Sequence, residues 1–90
     1  MRIKYIGKIA GSTKNHIAQV DGTLTQVPVE YDDGYTIIHH EGVRVYLRTD
    51  DPAYCNVQTT VGWGTPYAVV TEAVNFAKKF KKILDQVAAK

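Results

Sequence analysis

The sequence predicts an α+β fold, an antiparallel β-meander of about five to six strands with one C-terminal amphipathic helix packed on one face. Three observations predict it. Apolar and polar residues alternate with period two through most of residues 2–61. Short glycine-bearing breaks, Asp21-Gly22 and Asp32-Asp33-Gly34 among them, punctuate that alternation at hairpin spacing. Beyond Pro66 the apolar spacing changes to alternating steps of four and three, which is the period of a helix.

The first run, RIKYIGKIA, sets Ile3, Tyr5 and Ile9 against Arg2, Lys4 and Lys8, with Gly7 at a position suited to a bulge. GSTKN is a loop. Asp21-Gly22 then joins HIAQV to TLTQVPVEY, and a two-residue turn there puts His16, Ala18, Val20, Thr23, Thr25, Val27 and Val29 on the more apolar face. Pro28 has no N–H to give a ladder, so its strand is expected at a sheet edge or bulged at that residue.

Asp32-Asp33-Gly34 turns the chain into a further hairpin, YTIIHHEGVRVYLRT. A two-residue Glu41-Gly42 turn would hold glutamate at positive φ, which a side chain with a Cβ resists. A three-residue loop, His40-Glu41-Gly42 with the glycine left-handed, is therefore expected. It turns Tyr35, Ile37, His39, Val43, Val45 and Leu47 inward, and Thr36, Ile38, Arg44, Tyr46 and Arg48 outward. In YCNVQTTV the same alternation puts Cys55, Val57, Thr59 and Val61 inward and Tyr54, Asn56, Gln58 and Thr60 outward.

Thr65 as N-cap and Pro66 at the first helical position open a helix that runs to about Ala88. Phe76, Ala77, Phe80, Ile83 and Leu84 share one arc of it. Lys78, Lys79, Lys81 and Lys82 spread over the opposite side, toward the end where the macrodipole favours cations. The chain is thus one domain over residues 1–90, with sheet from about 2 to 61 and helix from about 66 to 88.

Ninety residues supply one core and no second lobe. The net charge of +2 does not name nucleic acid as a partner, but its distribution is uneven: residues 66–90 carry five lysines against Glu72 and Asp85. Cys55 is the single cysteine, which excludes an internal disulfide framework and fits a reducing compartment. MRIKYIGK lacks the apolar core of a signal peptide, and no run approaches the ~18 apolar residues of a membrane span. The expected location is cytoplasmic, without membrane contact.

No metal or cofactor is expected. Neighbouring strand residues point to opposite faces, so His39 and His40 cannot both reach one ion; His16 is the only other histidine, and Cys55 has no cysteine partner. The paired acids Asp32-Asp33 and Asp50-Asp51 fall at the same end of a meander, but aspartate beside glycine or proline is ordinary turn chemistry. No catalytic residue is expected either. GKIAGSTK lacks the order G-x-x-x-x-G-K-[ST], Ser12 near His16 in sequence is no triad, and Cys55 falls on the expected core face, where a thiol is inert. The chain does not look like an enzyme.

What remains is the outer face of the last hairpin and final strand, where Arg44, Tyr46 and Arg48 lie beside Tyr54, Asn56 and Gln58. Tyrosine and arginine with small amides are the chemistry of recognition surfaces: rigid amphipathic rings give contact area at low entropy cost, and guanidinium groups bind carboxylate or phosphate in a fork. The plain alternative is cross-strand pairing that only stabilises the sheet. The leading expectation is a small non-enzymatic module that binds another macromolecule, most simply a protein, through this face. Nucleic-acid or nucleotide binding is the alternative, with Lys78, Lys79, Lys81 and Lys82 meeting phosphates; their plainer role is a solvated helix face. A structural subunit of an assembly, a homo-oligomer included, is the third.

No family resemblance spans the chain. Its opening, MRIKYIG, resembles the start of many small phage-encoded proteins over those seven residues. That likeness implies a viral accessory protein, such as an inhibitor of a host system working in the host cytoplasm, and carries over no functional residue.

Overall fold

The computed structural model describes residues 2–9, 11, 14–59 and 66–88. Six strands, β1 (Ile3–Lys8), β2 (Asn15–Val20), β3 (Thr23–Asp32), β4 (Tyr35–His40), β5 (Val43–Arg48) and β6 (Cys55–Thr59), precede one helix, α1 (Tyr67–Ala88). The strands pair antiparallel in chain order, β1-β2-β3-β4-β5-β6, as a meander. The α+β architecture is the one the alternation and the change of period predict. The expected N-cap Thr65, and Ser12, Thr60 and Val61, lie outside the described residues. The Pro66 carbonyl accepts from the Val69 and Val70 amides, so the proline stands at the helix entrance, where its missing N–H costs nothing.

Three hairpins share one turn. Asp21-Gly22, Asp33-Gly34 and Glu41-Gly42 each hold both residues at positive φ, near 49° for the first and 78–87° for the glycine. This is the backbone a two-residue turn needs to match strand twist. Aspartate tolerates that region; glutamate does so at a cost, and the expected three-residue loop at His40-Glu41-Gly42 is not formed. His40 pairs directly with Val43 instead. The one-residue difference reverses every side chain of β4. Thr36, Ile38 and His40 join Val43, Val45 and Leu47 beneath the helix, while Tyr35, Ile37 and His39 turn outward with Arg44, Tyr46 and Arg48. The facing expected for β5 holds; the facing expected for β4 is inverted.

Pro28 is accommodated differently from expectation. β3 is neither an edge strand nor bulged there. Its pairing with β2 ends at Asn15–Pro28, and its pairing with β4 begins at Val29–Ile38. The proline occupies the residue where the ten-residue strand passes from one neighbour to the other, so a missing donor breaks no ladder. In β1 the expected bulge at Gly7 is present, between Tyr5 and Gly7, and it brings Lys8 opposite His16 rather than to the polar side.

α1 packs mainly on β4 and β5 and reaches both edge strands, β1 and β6. Phe76 and Phe80 are fully buried and stacked at 5.5 Å, sealed by Val27, Val29, Ile38, Val43 and Val45 from the sheet. Burying each ring contributes about 1.5–3 kcal/mol, which makes these two residues the main fastening of helix to sheet. The core row Val29–Ile38–Val45–Val57 crosses four strands beneath them. Cys55 pairs with Leu47 on this face, but it opens β6 and is exposed, not the sealed core thiol expected. No helix among the described residues is long and apolar enough to cross a membrane.

Candidate functional site

The register of β4 to β6 builds the helix-free face as transverse rows. Glu30, Ile37, Tyr46 and Asn56 form one; His39, Arg44 and Gln58 the next; Asp32, Tyr35 and Arg48 the third. Ile37 is only 6% exposed yet stands apart from the core under the helix. Its neighbours on the outer face therefore shield it, and this side of the sheet has an apolar centre of its own.

Tyr46 stands opposite Ile37, and two further tyrosines extend from it. The Tyr35 ring meets Tyr46 edge-on at 6.2 Å and Tyr54 at 5.5 Å. The Arg48 guanidinium lies 4.8 Å from the centre of the Tyr35 ring. Its Nε donates to Asp50 Oδ1 at 2.8 Å and its terminal nitrogen to Asp50 Oδ2 at 2.9 Å, a two-pronged pair. Asp50 hydrogen bonding pushes the Arg48 pKa up, with Tyr35 adding to it, and Arg48 in turn holds the Asp50 carboxyl below its usual range. So exposed a pair adds little to stability; its effect is to fix the guanidinium over the ring. Tyr46 Oη donates to Gln58 Oε1 at 3.2 Å. Arg44 is exposed and has no ion-pair partner among the described residues.

All six residues singled out from sequence, Arg44, Tyr46, Arg48, Tyr54, Asn56 and Gln58, belong to this side or its edge. Their roles differ. Arg48 is a brace engaged with Asp50, and Arg44 is the open cation. Tyr35, the hub of the cluster, escaped sequence reasoning because the wrong turn placed it inward. The repeated Asp-Gly, Asp-Gly, Glu-Gly series was the signal that would have found it.

The helix lysines spread over two flanks of α1 that meet at Lys78. Lys78, Lys81 and Lys82 line a groove of about 480 Å³ with Thr49, Pro52 and Tyr54, and Lys78 also borders the other flank of α1, where Lys79 lies with Tyr67 and Asn75. Lys81 is engaged by Asp85 at 2.9 Å, one turn on. None of the four lies in the last helical turn, so the macrodipole does not explain them.

The acidic connections follow turn chemistry. Asp50 is taken by Arg48, and Asp51 Oδ1 accepts from the Ala53 amide at 3.1 Å. A different group does converge: His40, Glu41 and Glu72 bring one donor atom each within 4.8 Å of one another. His39 and His40 point to opposite faces, as the alternation requires, with His39 Nε2 3.5 Å from Glu30. The partners of His40 come from the turn and the helix instead.

No family model, no curated protein and no solved structure matches the chain.

Proposed function

We propose that the chain is a non-enzymatic binding module whose helix-free sheet face engages another protein. The Tyr35–Tyr46–Tyr54 cluster beside the shielded Ile37 is the observation that carries this reading. The rings are held by each other and by Arg48, so little side-chain entropy remains to be lost when a partner covers them. Arg44 beside them supplies an uncommitted fork for a carboxylate or a carbonyl. Charge favours protein over nucleic acid: Asp32 at the end of β3 and Asp33, Asp50 and Asp51 in the connections all lie at the Tyr35–Arg48 end, where they would repel phosphates. The likeness of the first residues to phage-encoded proteins supports an accessory role, such as inhibition of a host system in the host cytoplasm.

The test is capture of a protein from nuclease-treated native lysate by the full chain, against a variant carrying Arg44→Ala and Tyr46→Ala. The variant should remain folded, with a lowered but still cooperative melting transition, and lose the captured protein; retained capture refutes the reading. The groove of Lys78, Lys81 and Lys82 beside Tyr54 favours a second reading, nucleic-acid binding. It would show as oligonucleotide affinity that falls steeply with salt.

A further inference from the structure

The geometry points to a divalent metal site at the junction of the β4–β5 turn and the first half of α1, formed by His40, Glu41 and Glu72 and selective for a borderline transition ion of the Zn²⁺ class. It is independent of the protein-binding face, which lies on the opposite side of the sheet.

His40 closes β4 on the helix side and is 9% exposed, with its ring stacked on Phe76 at 4.2 Å and 17°. That stacking fixes the imidazole plane. Nε2 is shut off from solvent and has no hydrogen-bond partner. A buried ring nitrogen left so is costly; His16 and His39 share the feature, but among the described residues only His40 has two carboxylates converging on it. Glu72 stands one helical turn before Phe76, and its carboxylate oxygen lies 3.9 Å from His40 Nε2, too far for a hydrogen bond. Glu41 follows His40 directly, in the turn. The three donor atoms lie within 4.8 Å of one another, at the wall of an open cleft of about 450 Å³.

Around a tetrahedral Zn²⁺, with bonds of about 2.0–2.2 Å, neighbouring donors stand about 3.3 Å apart. Closing separations of up to 4.8 Å takes rotations of Glu72 and Glu41, both exposed and free to make them. One imidazole and two carboxylates leave a fourth position for water from the cleft. An imidazole donor disfavours Mg²⁺, and three side-chain donors are too few for Ca²⁺. The turn also carries glutamate where aspartate or asparagine fits the backbone more easily, and its carboxylate lies within 4.8 Å of the His40 and Glu72 donors. An ion here would tie the third hairpin to the helix.

The experiment is calorimetric titration of the tag-free full chain with Zn²⁺, together with ¹⁵N histidine side-chain spectra. Binding of one ion per chain with movement of the His40 Nε2 resonance, and not those of His16 or His39, is expected. Glu72→Gln and Glu41→Asn each remove one ligand and retain the fold, since Glu72 is exposed and asparagine suits the turn; each should weaken Zn²⁺ by about tenfold or more. Absence of binding, binding reported by His16 or His39, or unchanged affinity in both variants would overturn the site.

Discussion

His40 stands opposite Val43 as the last pair before the β4–β5 turn, and that pairing sets the side on which every residue of β4 lies. It sends His40 beneath the helix to meet Phe76 and Glu72, and sends Tyr35 outward to meet Tyr46 and Tyr54. Both candidate sites depend on one turn having two residues rather than three.

The register has a direct consequence for the adjacent isoleucines. Ile38 is fully buried among the helix-facing core, whereas Ile37 is shielded on the outer face. Ile38→Ala should therefore cost about 2–5 kcal/mol in a urea melt. Ile37→Ala should cost less and impair partner capture. The reverse order of the two costs would restore the three-residue turn.

Glu41 carries a backbone φ of 49°. A non-glycine residue there stores about 1 kcal/mol, less for asparagine, which favours this region. Glu41→Asn should raise stability by about 0.5–1 kcal/mol when measured in chelator, where no metal contributes. Lower stability of the variant in chelator would show that the glutamate side chain holds the turn by other means.

His16 predicts the acid limit of the fold. It is buried, and its pKa is lowered below 6.5, first by burial and then by the Lys8 charge brought opposite it by the β1 bulge. Tyr5 Oη is 3.0 Å from its Nδ1. Because the folded pKa lies below the unfolded one, the unfolded chain binds the proton first as pH falls. The contribution of His16 is present in full above the unfolded value of about 6.5 and is lost as pH drops from there through the lower folded value. Lys8→Gln should shrink that loss, and His16→Phe should remove it, in melts across this range. An unchanged pH slope in His16→Phe would assign the acid limit to another group.

The sequence by itself determined the strand count, the meander order, the helix and the residues on the outward side of β5 and β6. These follow from local periodicity: a half-buried strand alternates by two, an amphipathic helix by 3.6, and Asp-Gly between alternating runs closes a hairpin. Asp21-Gly22 and the arc of Phe76, Ala77 and Phe80 were legible for that reason.

Tertiary structure alone decided the side of β4, the place of Pro28 and the neighbours of His40. YTIIHH carries one isoleucine and one histidine on each alternation, so either face satisfies the local pattern, and the penalty at Glu41 argued for the wrong one. It is outweighed because the two-residue turn buries Ile38 in the row Val29–Ile38–Val45–Val57, against about 1 kcal/mol of backbone cost. Glu72 lies far from His40 in sequence, and only the packing of Phe76 and Phe80 onto the sheet brings them together. Burial is a property of the assembled layers, and no spacing along the chain encodes it.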